Sequence, residues 1–118
     1  MLPKQYRLTK NSAFKATYNV RNTASDELFI VFAGKKKTND EAFTRAGFVV
    51  SKKNHKRAVK RNRLKRLMRE SYWCLQKDGS IAKVNDYMSI IVVARDEAVG
   101  ADYKTVHSSI EKLIGRLR

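Results

Sequence analysis

Between Lys52 and Arg69 the chain carries ten lysines and arginines and no acidic residue. The other 100 positions hold 16 basic and 11 acidic residues, so two-thirds of the formal net charge of +15 sits in these 18 residues. Arginine offers phosphate a planar, bidentate fork, whereas lysine acts as a point charge. Asn62, in the middle of the run, both donates and accepts hydrogen bonds and so suits a base edge or a 2′-hydroxyl. A solvated helix face normally alternates its charge signs and gains i, i+4 pairs. Like charges side by side cost stability unless a polyanion neutralises them. The pattern is therefore that of a rail for a phosphate backbone. A basic helix can also lie on an anionic membrane, but that needs a broad apolar face not already committed to a core.

A second constellation is aromatic. Phe14 and Tyr18 stand four residues apart in an expected helix and share one face. Ile30 and Phe32 alternate onto one face of an expected strand. Lys52 and Lys53 close the next strand. Rings beside a basic channel hold single-stranded RNA by stacking, although the same residue types also suit an ordinary core. Self-contained catalysis has little to build on. His55 and His107 lack ligand spacing with each other or with Cys74. Asp40-Glu41 and Asp96-Glu97 are adjacent pairs in expected loops. No metal-ligating cluster, phosphate loop or nucleophile elbow occurs. Neither a catalytic residue nor a metal ligand is expected in the protein.

The elements that must position these residues follow from periodicity. With 118 residues and 42% apolar content, one domain over residues 1–118 is expected. A short helix is expected to start near Asn11 or Ser12, both favourable cap types. Val20 to Asp26 reads as a loop with a possible short strand, and Leu28 to Ala33 as a strand. Gly34 to Ala42 reads as a hairpin loop leading to a strand over Ala46 to Ser51. A helix is expected from Lys56 to Gln76, ended by Asp78-Gly79-Ser80. Its apolar or small stripe is Leu64, Leu67, Met68, Ser71, Tyr72 and Leu75, with Asn62, Arg66 and Arg69 opposite and Lys65 on the flank. Arg57, Lys60 and Arg61 fall in line with the stripe, where that end overhangs the core. Trp73 falls opposite the stripe, which suits either packing under a neighbouring segment or exposure to a partner, and packing is the expected role. Tyr87 to Ala94 reads as a strand and Asp102 to Leu117 as a helix, with Val106, Ile110, Leu113, Ile114 and Leu117 at core spacing. The order implies a single α+β two-layer sandwich, its sheet mostly antiparallel with at least one parallel pair around the long helix. No apolar run approaches the ~20 residues that span a bilayer, so no membrane partner is expected. Met1 to Lys10 lacks the apolar segment of a secretory signal. Cys74 is the sole cysteine, which fits a reducing, cytoplasmic setting.

Gly47-Phe48-Val49-Val50-Ser51-Lys52-Lys53, followed by Arg61-Asn62-Arg63-Leu64-Lys65-Arg66-Leu67-Met68-Arg69-Glu70, resembles the motif of the bacterial ribonuclease P protein family. Arg7-Leu8 before Phe14 resembles the family's entry into its first helix, and Asp86-Tyr87 with Ile90 to Arg95 its last strand. The resemblance covers nearly the whole chain. It implies an α-β-β-β-α-β-α fold like the second domain of ribosomal protein S5. Four strands and a left-handed βαβ crossover belong to that fold, against the usual right-handed rule. It implies an endoribonuclease, ribonuclease P, in which this chain is the non-catalytic protein cofactor of a catalytic RNA, with Mg2+ bound mainly by RNA and substrate. One protein would pair with one RNA. Promoting removal of the 5′ leader from precursor tRNA would be its task. By this resemblance Arg61, Asn62, Arg63, Lys65, Arg66 and Arg69 face the catalytic RNA, and the basic run extends that expected set to Lys52, Lys53 and Arg57. Phe14, Tyr18 and Phe32 match the aromatic positions of a cleft for the precursor leader, and Ile30, on the same strand face as Phe32, is expected to line it with them. The sequence departs from the family pattern at Asn54-His55-Lys56-Arg57, where many members have a glycine-containing turn. It departs again at Val20-Arg21-Asn22, which lacks a glycine often found there. A small ribosomal protein that stabilises folded rRNA would share the charge, the size and the basic helix. It would need no leader cleft. An RNA-cleaving enzyme acting alone would need turnover without an RNA subunit.

Overall fold

A computed structural model describes residues 2–38, 43–50 and 58–118 of the chain. After a 3-10 turn at Lys4–Tyr6, the elements are α1 (Asn11–Val20), β1 (Asn22–Ser25), β2 (Phe29–Ala33), β3 (Arg45–Val50), α2 (Ala58–Asp78), β4 (Ser89–Ala94) and α3 (Tyr103–Gly115). This is the α-β-β-β-α-β-α order. The strands form one sheet in the order β1-β2-β4-β3. β1 with β2 and β2 with β4 are antiparallel, and β3 with β4 is parallel. The expected parallel pair is therefore present on either side of α2. The segment from Gly34 to Ala42 is not a hairpin, because β4 lies between β2 and β3. The chain leaves β2 at Gly34, bridges at Lys36 to Tyr87, and joins the sheet on the far side of β4. A local turn signal records that the chain bends, not which strand pairs next.

The inner face of the sheet makes the core. Phe29, Val31 and Ala33 of β2, Ile90, Val92 and Ala94 of β4, and Ala46 and Val50 of β3 are buried beneath α2 and α3. Every residue of the expected α2 stripe is buried, as are Val106, Ile110, Leu113, Ile114 and Leu117 at the other helix. β4 is central and covered on both sides, which explains its unbroken apolar run. On the outer face Ile91 is fully buried. α1 lies across that face, where its buried Thr17 shares a 2.5 Å hydroxyl hydrogen bond with Ser89 of β4. Leu8 donates its N–H to the Ala46 carbonyl at 2.9 Å, and Arg7 bridges to Ala46, so the N-terminal segment runs beside the edge strand β3 and takes up its free backbone groups.

The termini of the helices follow side-chain chemistry in part. Asp102 caps α3 by accepting from Thr105 N–H at 2.8 Å. α2 ends where Asp78 accepts from Ser80 N–H and Gly79 takes φ +82°. α1 departs from expectation. Lys10 is its cap residue, and no side chain there bonds the helix, because Asn11 already lies inside the first turn. At the other end Arg21 occupies the left-handed region with φ 62°. This is the bend that lacks a glycine, and an L side chain there is strained by about 1 kcal/mol. Asn22 next to it is buried and turned inward, its amide bonding the Arg118 backbone at 2.8 and 3.0 Å.

Asp26 ties the β1–β2 turn to α3. Its carboxylate accepts from the N–H groups of Leu28 and Phe29 and from the Ser109 hydroxyl, and pairs with Lys112 at 3.1 Å. Burial pushes this carboxyl up, but the Ser109, backbone and Lys112 bonds outweigh it and bring its pKa down to about 2. A depressed carboxylate contributes stability above its unfolded pKa, and that contribution fades as pH falls toward the folded value. Asp26→Asn is expected to cost about 1–2 kcal/mol at pH 7 after allowance for solvent screening. Denaturant titrations should show the gap from the parent closing as pH drops from 5 toward 2. Arg21→Gly should raise stability by about 0.5–1 kcal/mol, read as a thermal midpoint a few degrees higher.

Candidate nucleic-acid interface

α2 presents its charge where the core is not. Asn62, Arg63, Arg66 and Arg69 are exposed, as is Lys60, while Arg61 and Lys65 are half-buried on the flanks. At 100° per residue, Asn62, Arg66, Arg69 and Trp73 fall on one line opposite the Leu64–Leu75 stripe. Arg63 lies to one side and donates to the Ala101 carbonyl at 3.4 Å. Lys52, Lys53 and Arg57 lie outside the described residues, as do Asn54, His55 and Lys56.

A residue that the sequence tied only to the entry into the first helix completes this face. Arg7, in the segment alongside β3, meets Arg66, Arg69 and Glu70 around a cavity of about 360 Å³. Its Nε donates to the Leu2 carbonyl at 2.8 Å, which fixes the guanidinium from behind. Three guanidiniums against one carboxylate form a net cationic pocket with the fork geometry that phosphate oxygens match. Arg7 is far from the basic run in sequence, and only the pairing of its segment with Ala46 brings it there.

The aromatic residues gather on the outer face of the sheet. Tyr18 of α1 meets Phe32 of β2 edge to face, with centroids 4.7 Å apart at 89°. Phe14 lies over Gly47 so closely that a Cβ there would stand 2.6 Å from its ring. Phe14, Tyr18, Ile30 and Phe32 are all half-buried, and none belongs to the hydrophobic core cluster. Burial moves the Tyr18 phenol pKa upward, so it stays a neutral donor. Val49 and Val93, on the same sheet face, are also half-buried. The four expected cleft residues are thus together, along one flank of α1. Cys74 is exposed, and the described residues include no group of three or more His, Cys, Asp or Glu able to hold a metal. No helix of the described residues is long and apolar enough to cross a membrane.

Fold and surface define a basic α+β protein with a cationic helical face and a separate group of half-buried aromatic side chains on the outer face of the sheet. The sequence profile of the Ribonuclease P family matches residues 2–118. The ribonuclease P protein component of Alkaliphilus oremlandii is 37% identical over 111 residues, 94% of this chain and 90% of that protein. The RNase P protein of Staphylococcus aureus superposes with TM-score 0.74 at 30% identity, over 93% of both chains. That of Thermotoga maritima, in complex with 1-(4-fluorophenyl)-2-thiourea, gives TM-score 0.77 at 27% identity, over 95% of this chain and all of that one. The chain belongs to the ribonuclease P protein component family, the protein subunits of the ribonucleoprotein that matures the 5′ ends of tRNAs.

Each guanidinium that neutralises a phosphate releases condensed counterion. Arg66→Ala is expected to weaken binding to the RNA partner and lower the slope of log K against log salt by about one. Arg7→Ala should do the same. Filter binding across a salt series measures both, and an unchanged slope removes the residue from the interface.

Proposed function

We propose that this chain binds the catalytic RNA of ribonuclease P along the exposed face of α2 and holds the 5′ leader of precursor tRNA in the cleft beside α1. In this reading Arg61, Asn62, Arg63, Lys65, Arg66 and Arg69, joined by Arg7, face the catalytic RNA. The same role is proposed for Lys52, Lys53 and Arg57, which lie outside the described residues. Phe14, Tyr18, Ile30 and Phe32 receive the leader. One protein serves one RNA, in the cytoplasm.

The observation that carries this reading is the placement of the aromatic residues. A protein that only stabilised a folded RNA through its basic helix would have no use for Phe14, Tyr18 and Phe32 half-exposed outside the core. Stacking a base on such a ring contributes roughly 1–3 kcal/mol and tolerates any base, as a variable leader requires. The protein's work is then electrostatic and positional. α2 offsets phosphate repulsion within the RNA, and the cleft converts leader placement into an intramolecular event. Mg2+ belongs to the RNA and substrate in this scheme, and no step is assigned to a protein ligand.

Reconstitution tests the reading. With a bacterial ribonuclease P RNA and precursor tRNA at low magnesium, leader release should require the RNA and rise strongly on adding the protein. No increase, with tight binding to rRNA fragments instead, would favour a ribosomal role. Phe14→Ala is expected to lower affinity for long-leader precursors roughly 5- to 100-fold while leaving leaderless tRNA unaffected. Equal loss on both would sink the cleft.

A further inference from the structure

One cavity serves neither surface. Past Arg69 the solvent-facing line of α2 continues to Trp73, with Lys77 one turn beyond. There the helix meets the N-terminal segment. Tyr6 packs with its centroid 5.0 Å from Trp73 and 4.9 Å from Phe43. The three rings line a cavity of about 530 Å³ together with Lys37, Lys77 and Gln76.

Several features set this patch apart from ordinary packing. Phe43 remains 53% exposed. Tyr6 and Trp73 are only half-buried. The Lys77 ammonium stands 5.8 Å from the Trp73 ring centroid, which places a cation at the mouth of an aromatic wall. Gln76 donates through Nε2 to Asn85 Oδ1 at 2.8 Å, yet its Oε1 is shielded from water without a hydrogen-bond partner among the described residues. A buried acceptor left unpaired costs stability. Flat rings, flanking cations and an unsatisfied acceptor together match an unstacked nucleobase: its face stacks, its phosphates meet the lysines, and a base N–H reaches Oε1 after a small side-chain rotation.

We propose that the Tyr6–Phe43–Trp73 pocket binds a flipped-out base of the same RNA that lies along α2, the catalytic RNA. This rests on the reading of α2 as an RNA-binding face. Trp73 follows Arg69 by four residues, about 6 Å along the axis, so a strand seated on Asn62, Arg66 and Arg69 reaches the pocket without leaving the helix. The leader cleft lies beside α1 on the sheet's outer face, whereas α2 packs on the inner one. Phe43 also borders the groove beside α1 that Ala13, Ala16 and Thr17 line, so it is the continuity of Trp73 with Arg66 and Arg69 along α2 that assigns the base to the catalytic RNA and not to the leader.

Trp73 is the only tryptophan, so its fluorescence reports on this pocket alone. The full-length protein is titrated with a ribonuclease P RNA transcript, with precursor tRNA and with a leader oligonucleotide, and total binding is followed in parallel by filter retention. The catalytic RNA should quench Trp73 with the same midpoint as retention. Phe43→Ala should fold with an unchanged thermal midpoint and lose roughly 5- to 100-fold in affinity for that RNA. Lys77→Ala should lower the salt slope by about one. Retention at full affinity without quenching, or an unaffected Phe43→Ala, overturns the pocket while leaving the α2 face standing. Quenching by precursor or leader alone overturns the assignment to catalytic RNA. Failure of the catalytic RNA to bind at all fells the α2 reading and this one with it.

Discussion

A helix that concentrates positive charge on one side must be held in place by something other than its own side-chain pairs. α2 has no acidic residue before Glu70, so its exposed side repels itself over more than three turns. Each like-charge pair costs a few tenths of a kcal/mol. Against that, Leu64, Leu67, Met68, Tyr72 and Leu75 are buried on the opposite side. At about 1.5–3 kcal/mol for each large apolar side chain, the gross gain is of order 10 kcal/mol, an upper figure for a compact unfolded chain. Burial wins, and the charge can be spent on a partner. The price of that arrangement is visible in two hydroxyls, Ser71 Oγ and Tyr72 Oη, buried without partners among the described residues. Burial drives the Tyr72 phenol pKa far upward and keeps it neutral.

The sheet then separates two tasks. Its inner face is closed by α2 and α3. Among the described helices only α1, ten residues long, lies over the outer face, and apolar side chains of β2, β3 and β4 are half-buried there. A single short helix cannot cover a four-stranded sheet, and the uncovered strip is where aromatic side chains remain available. Close approach makes this possible: with no Cβ at Gly47, the Phe14 ring settles onto the backbone of β3.

The N-terminal segment joins the two sides. In three consecutive residues it places Tyr6 against Trp73, Arg7 beside Arg66 and Arg69, and Leu8 on the Ala46 carbonyl before entering α1. One strand-like stretch thereby protects the edge of β3 and contributes to both the cationic pocket and the aromatic one.

Much of this was legible beforehand because it is periodic. The α2 stripe, the α3 core residues and the β4 run repeat at 3.6 or follow a continuous apolar pattern, and local burial is what those patterns encode. The charge segregation of Lys52–Arg69 and the pairing of Phe14 with Tyr18 on one helix face were equally plain. Trp73, placed opposite the core stripe, does pack under a neighbouring segment, Tyr6. Other features had no local signal. That β3 pairs with β4 and not with β2, that Arg7 joins Arg66 and Arg69, and that Tyr6, Phe43 and Trp73 close around one cavity all depend on contacts between residues far apart in the chain. Periodicity says which face of an element is apolar. Which element covers that face, and which it leaves open, is decided only when the long-range hydrogen bonds and burial of the whole sheet are satisfied together.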